Sequence, residues 1–317
     1  MGSIANIMSR TREADSAPTE PNPDFDASVQ SQAAAAAAAV ESAVAPEPAA
    51  DAASGEAMTG GAFIAETPAH VSAEIDGRVV AWDPRKIDPA VVAFHSRYSA
   101  VCEQFRSVRA RLINKDGPAQ NRILVVTSSL PQEGKSVTTA NLGIVLAEGG
   151  EHSVLIADAD FRRTSIAHML GMDSRPGLAD LIRGEVTLAE ALRPTPFPNL
   201  KVLTAGTVGD KNYGEVLNSP AARDVLTQIR ERFDYTLLDT PPVNTVSDVS
   251  TIAPHCDGVV MVIEMGRTPE PTVQEAVRTL QTTNTRILGC ILSRYRDRRG
   301  RYYDRYYDYY YYYNNKD

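Results

Sequence analysis

The sequence predicts an α/β fold with a mostly parallel sheet and helices on both of its faces. Three observations carry that prediction. Short, predominantly apolar runs recur at Ile123–Thr127, Val154–Ala157, Lys201–Thr204, Tyr235–Leu238, Val259–Ile263 and Ile287–Leu292. Strands that read as continuous apolar runs are buried on both faces, as in a parallel sheet. Segments with helical spacing alternate with them, at Ser136–Glu148, Ser165–Leu170, Leu178–Arg183, Ala221–Arg232 and Pro271–Gln281. Finally, the first strand is joined to the first of these helices by a loop ending in Gly134–Lys135–Ser136. That strand–loop–helix order belongs to the same class of fold.

Ahead of the first strand, Pro89–Asn114 has helical spacing through Phe94, Tyr98, Val101, Phe105, Val108 and Leu112, and Asp116–Gly117–Pro118 ends it. The helix after the loop closes on Gly149–Gly150. Outside these elements the composition shifts. Residues 1–80 carry a net charge of −9 within a total of −8, and they are rich in Ala, Pro, Glu, Asp and Ser. They read as a disordered acidic tail, because such a segment cannot bury enough apolar surface to offset the entropy of ordering. Residues 302–313 hold nine Tyr in twelve positions and read as a flexible low-complexity tail. The expected organisation is a tail over 1–80, a nucleotide-binding domain over 81–296 and a tyrosine-rich tail over 297–317.

With the acidic tail set aside, the rest of the chain is near neutral, so no nucleic-acid footprint is present. Cys102, Cys256 and Cys290 form no CxxC pair and suit a reducing compartment. No run reaches the roughly 18–20 apolar residues that span a bilayer. The expected location is the cytoplasm, with any membrane role supplied by a partner.

Ser129-Leu-Pro-Gln-Glu-Gly-Lys-Ser136 meets the P-loop template G-x-x-x-x-G-K-[ST] at every fixed position except the first, where Ser129 replaces Gly. This makes the expected fold that of a P-loop NTPase, with ATP and Mg²⁺ as cofactors. Gly134 lets the backbone approach phosphates, and N–H groups from about Glu133 to Val137 bind their oxygens at a helix N-terminus. Lys135 is expected on the β- and γ-phosphates and the Ser136 hydroxyl on Mg²⁺. Ser129 and Gln132 complete the cradle.

Two strand ends supply carboxylates. Val154–Asp160 (VLIADAD) ends in Asp158 and Asp160, and Tyr235–Pro242 (YTLLDTPP) carries Asp239. Ligands of open α/β sheets bind at the carboxyl ends of strands, so all three acids are expected to converge on Lys135. Asp239 fits the role of the acid that holds Mg²⁺ directly or through water. Arg162 and Arg163 follow at once and are candidates for phosphate contact.

Together these segments resemble the bacterial protein-tyrosine autokinases of polysaccharide export, over roughly residues 90–317. SSLPQEGKS is similar to the family's phosphate loop, VLIADADFRR to its second acidic motif and YTLLDTPP to its third. PGLADLIRGEVTLAEAL also resembles the family's intervening segment, and the terminal tyrosines complete the set. The resemblance implies Asp158 as the base that activates a tyrosine hydroxyl, with Asp160 and Asp239 supporting Mg²⁺. It implies Tyr302, Tyr303, Tyr306, Tyr307 and Tyr309, Tyr310, Tyr311, Tyr312 and Tyr313 as phosphoacceptors. Glu103, Arg106 and Arg109 match the family's E-x-x-R-x-x-R ring-forming helix. A homo-oligomeric ring, a membrane-anchored copolymerase-type activator that recruits the chain to the inner membrane face and an opposing tyrosine phosphatase are further implications. The family often has Gly where this chain has Gln132.

Two rival readings share these motifs. A MinD/ParA-like positioning ATPase would carry a second lysine at the position of Leu130. A non-catalytic nucleotide-binding regulator of polysaccharide chain length or export would keep every motif and transfer no phosphate.

Overall fold

The computed structural model describes residues 71–75, 78–114, 121–209, 213–283 and 285–294, all within the unit that begins at Thr67. Seven strands make its main sheet: β3 (Arg122–Ser128), β4 (Val154–Asp158), β5 (Arg193–Pro194), β6 (Leu200–Leu203), β7 (Tyr235–Asp239), β8 (Gly258–Glu264) and β9 (Ile287–Ser293). Their spatial order is β5-β6-β4-β7-β3-β8-β9. Only the β5–β6 pair is antiparallel. The expected class of fold is therefore the one formed, and all six expected strands are present. β5, two residues long, was not expected. A two-residue edge strand is too short to show a periodicity.

The chain visits β3 and β4 first and later inserts β7 between them. The register pairs Asp158 with Asp239 across β4 and β7, and Val126 with Asp239 across β3 and β7. Two acids thus sit side by side at the carboxyl edge, next to the loop that leaves β3. β4 and β7 are buried at every residue, as their apolar runs require.

Helix α3 (Lys135–Ala147) lies across this sheet and is buried along its whole length except at Val137. Gly143 allows that approach: a Cβ there would lie 2.5 Å from the Ile156 side chain. α3 is covered in turn by the segment before β3. Buried Asn141 fixes it, donating to the carbonyls of Ala90 (2.9 Å) and Val137 (2.8 Å) and accepting from the N–H of Ala93 (2.8 Å).

The single helix expected over Pro89–Asn114 is two, α1 (Val92–His95) and α2 (Ala100–Asn114). The first ends at His95, and the Ser99 hydroxyl accepts from the N–H of Cys102 at 3.2 Å, capping the second. Phe105, Val108 and Leu112 pack on the core as expected. Tyr98 is 82% exposed and Val101 47% exposed, so the apolar stripe is broken there.

The hairpin of β1 (Val71–Ile75) and β2 (Arg78–Trp82) straddles the boundary expected at residue 80 between tail and domain. The rest of that tail, and the tyrosines of 302–313, lie outside the described residues. The remaining helices are α4 (Ser165–Met169), α5 (Leu178–Ile182), α6 (Leu188–Ala191), α7 (Tyr213–Leu217), α8 (Pro220–Arg232), α9 (Asp248–Ile252) and α10 (Glu270–Thr282).

Candidate nucleotide site

The loop after β3 is built by its own side chains. Ser128 donates to the Leu130 carbonyl at 2.7 Å, and the Leu130 N–H donates to the Glu133 carboxylate at 2.7 Å. Gln132 and Gly134 adopt left-handed backbone, with φ of 67° and 90°. The left-handed region admits glycine without strain. At Gln132 this explains why a Gly is at home in that position. α3 starts directly at Lys135, so the loop's N–H groups and the helix N-terminus converge.

The Lys135 ammonium lies 3.0 Å from Asp160 and 3.7 Å from Asp239. Ser136 donates to Asp239 at 2.6 Å, and Thr139, one turn on, does so at 3.3 Å. Ser136, Asp160 and Asp239, the three residues expected around Mg²⁺, therefore meet around one ammonium group. Burial pushes the Lys135 ammonium down, but Asp239 and Asp160 outweigh it and hold it above its usual value. Burial raises the Asp239 carboxyl, against the pull of Lys135 and the Ser136 hydroxyl.

Asp158, expected as the base, lies behind the cleft lining. It is fully buried, and its two oxygens accept the N–H groups of Asp160 (3.0 Å) and Ile166 (3.2 Å). Burial, then the neighbouring Asp239, pushes its carboxyl well above the usual range. It stands behind Asp160, which lines the cleft while Asp158 does not.

That cleft has a volume of about 660 Å³ and is walled by Gln132, Gly134, Lys135, Ser136 and Val137, by Asp160, Arg162, Arg163 and His168, and by Pro241, Pro242 and Arg294. Small-molecule sites commonly fall in this size range. Ser129 and Glu133, expected in the cradle, are fully buried and do not line it. The Ser129 hydroxyl has no partner among the described residues. The Glu133 carboxylate turns inward and accepts from Thr268 as well as Leu130, and its carbonyl accepts from the Ser293 hydroxyl at 2.6 Å. Arg162 lines the cleft with its charge engaged: it lies 3.4 Å from Asp248 and 4.8 Å from the centre of the Tyr213 ring.

The Ser136 hydroxyl and the Asp239 carboxylate, with the Asp160 carboxylate beside them, suit Mg²⁺, which is commonly bound through one or two carboxylates together with phosphate oxygens and water. Among the described residues no cluster of three His, Cys, Asp or Glu forms a metal cage. The donor set thus fits a Mg²⁺ that arrives with a nucleotide.

Sequence reasoning did not single out Thr139, Thr268, Ser293 or Arg294. The strand-end rule that found Asp239 applies equally to β9 and would have pointed to Ser293 and Arg294. Thr268 had no local signal, because its partner Glu133 is 135 residues away.

The expected interface residues do work inside the chain. Arg106 makes paired hydrogen bonds to Glu148 (2.9 and 3.0 Å) and contacts Glu103; Arg109 donates to the Val145 carbonyl at 2.9 Å. Both arginines thus fasten α2 to the end of α3. Glu103 remains exposed.

A family model described as ParA: NUBPL iron-transfer P-loop NTPase matches residues 119–294. The chain is 30% identical over 203 residues to the tyrosine-protein kinase YwqD of Bacillus subtilis, a match that covers 64% of this chain and 85% of YwqD. It is 31% identical over 224 residues to the succinoglycan biosynthesis transport protein ExoP of Rhizobium meliloti, covering 65% of this chain but only 28% of ExoP. Among solved structures, the chimerical protein CapA2B2 superimposes with a TM-score of 0.62 at 26% identity, over 67% of this chain and 93% of that one.

Proposed function

This chain belongs to the family of bacterial tyrosine-protein kinases on a ParA-type P-loop fold, and on that premise we propose that it transfers the γ-phosphoryl group of ATP to tyrosine hydroxyls, those of its own residues 302–313 included. The observation that carries the reading is the convergence of Lys135, Ser136, Asp160 and Asp239 at the mouth of a glycine-bent loop. Phosphoryl transfer needs little covalent chemistry from a protein and depends on positioning and charge stabilisation.

In this reading the loop's N–H groups and Lys135 hold the phosphates, and Ser136 with Asp239 holds Mg²⁺. Bound Mg²⁺ supplies charge neutralisation on the β- and γ-phosphates. Asp160 faces the cleft and takes the proton of an entering tyrosine hydroxyl. Asp158 positions Asp160 by accepting its N–H. This exchanges the base role expected of Asp158, because Asp158 has both oxygens committed to main-chain donors and no face on the cleft.

The same reading places the chain in polysaccharide synthesis or export. It works at the inner membrane face with a copolymerase-type activator and is reset by a tyrosine phosphatase. Among the described residues no helix is long and apolar enough to cross a membrane. A ring of copies would use Glu103 and the exposed Tyr98 and Val101, since Arg106 and Arg109 are already engaged.

The test is direct. Purified protein with ATP and Mg²⁺ should gain phosphotyrosine detected by antibody, and both Lys135→Met and a chain ending at Gly300 should lose it. Nucleotide binding without phosphotyrosine, with an activator present, would instead favour the non-catalytic regulator.

A further inference from the structure

On the kinase reading of this cleft, we propose that Arg163 is a specificity-determining residue that selects acceptor tyrosines flanked by aspartate. Among the described residues four with long cationic side chains line the cleft: Lys135, Arg162, Arg163 and Arg294. Three are neutralised. Lys135 lies between Asp160 and Asp239, Arg162 pairs with Asp248, and Arg294 lies 2.8 Å from Glu264. Arg163 is exposed, and its guanidinium has no partner among the described residues.

Its backbone, in contrast, is fixed. The Arg163 N–H donates to Asp160 at 3.1 Å, and its carbonyl accepts from the Ser165 N–H (2.6 Å) and the Ser165 hydroxyl (3.1 Å). A free cation on an anchored root is thus held three residues from the carboxylate that meets the tyrosine hydroxyl. Among the described residues the only acid lining the cleft is Asp160 itself, which is 2% exposed and bound to Lys135. His168 stands exposed on the same wall. Among the described residues the mouth therefore presents one unpaired cation, the Arg163 guanidinium, to whatever enters.

The chain's own acceptor sequence has the complementary pattern. It reads Tyr302-Tyr303-Asp304 and Tyr306-Tyr307-Asp308. An extended chain advances about 3.3 Å per residue. A carboxylate one or two residues from an acceptor at Asp160 therefore lies within the span of an arginine side chain. Guanidinium and carboxylate match as planar, paired hydrogen-bonding groups. The nucleotide phosphates have their own partners in Lys135 and the loop N–H groups, so Arg163 is left for the protein substrate.

A charge exchange within the full-length protein tests this, with the initial rate of tail phosphorylation at saturating ATP and Mg²⁺ as the readout. Asp304→Lys with Asp308→Lys, and Arg163→Glu alone, should each slow labelling about two- to fivefold, the range of a partly exposed ion pair. The combined variant should recover most of the wild-type rate, and Arg163→Glu should leave the KM for ATP within about twofold. A combined variant as slow as the product of the two defects would overturn the proposal. So would an Arg163→Glu variant whose only change is a raised KM for ATP, which would assign Arg163 to the nucleotide. A wild-type chain that acquires no phosphotyrosine at all sinks the kinase reading itself, a result distinct from either of these.

Discussion

The Ser136 hydroxyl donates to the Asp239 carboxylate across 2.6 Å, joining the first turn of α3 to the end of β7. Both groups are buried, and Asp239 also faces Lys135. Replacing Ser136 with Ala leaves the carboxylate short of one donor. A hydrogen bond to a charged group is worth about 1.5–3 kcal/mol. Ser136→Ala should lower the urea-unfolding free energy of the nucleotide-free protein by an amount in that range. It should also cut Mg²⁺-dependent labelling on the order of 100-fold, an effect of the size seen when one transition-state contact is removed. Unchanged Mg²⁺ dependence in this variant would remove Ser136 from the metal.

Asp158 makes stability depend on pH. Its folded-state carboxyl is raised well above the usual range by burial and by Asp239, so the folded chain holds a proton that the unfolded chain releases. Its contribution is present below the ordinary carboxylate value of about 3.9 and is lost as pH rises through the raised folded value. Asp239, raised as well, acts in the same direction. Between these limits the two groups lower the melting temperature of the nucleotide-free protein as pH rises, against Glu264, whose carboxyl is held below its usual range by Arg267 and Arg294 and acts in the opposite direction. Asp158→Asn should flatten that slope. A slope equally steep in the variant would show that another group is responsible.

Arg106 and Glu103 separate intrachain packing from association. Arg106 is bonded twice to Glu148, and the two side chains are 21% and 10% exposed. Arg106→Ala should cost about 1–3 kcal/mol in chemical denaturation, because it removes two hydrogen bonds from a mostly buried carboxylate and, among the described residues, leaves it only Arg97, at 3.5 Å. Glu103, with a side chain 48% exposed, should change stability by less than about 0.5 kcal/mol when replaced by Ala. If copies associate through this helix, Glu103→Ala should lower the solution mass measured by light scattering while leaving the monomer's stability intact.

Gly143 and Ile156 should be energetically coupled. A methyl at residue 143 would press on Ile156 at 2.5 Å. Overpacking of a core typically costs about 1–3 kcal/mol. Gly143→Ala should show a loss in that range, and Ile156→Val in the same chain should return part of it. Strict additivity in the double-mutant cycle would contradict the close packing of α3 on β4.

The sheet and the acids were legible because both follow local rules. A buried parallel strand must be apolar, and its carboxyl end must face the ligand, so Asp158, Asp160 and Asp239 could be placed from their position after apolar runs. Lys135 and Ser136 were legible from the loop template. The inward turn of Glu133 was not, because its partners Thr268 and Ser293 come from distant segments and no spacing links them. The break over residues 96–99 was missed for a different reason: helical periodicity continues across it, and only the backbone turn at Ser96 and the cap from Ser99 mark it. The strand-end place of Asp158 was legible, but its role as base came only from the family resemblance. Whether a side chain faces the cleft or the turn behind it depends on which N–H groups the next residues offer.

The bond from the Ser293 hydroxyl to the Glu133 carbonyl, at 2.6 Å, bears on how the chain should be shortened or extended. Ser293 is the last residue of β9 and stands nine positions before the first acceptor tyrosine. A deletion that reaches it takes away more than acceptors: it unfastens the crest of the loop meant to grip ATP. A fusion or cleavage site set there would do the same. Variants meant to report on the tyrosines alone should therefore keep the chain intact through Arg294, whose guanidinium lies 2.8 Å from Glu264 at the end of β8. Lost labelling in any shorter chain would confound a missing substrate with a loosened donor site.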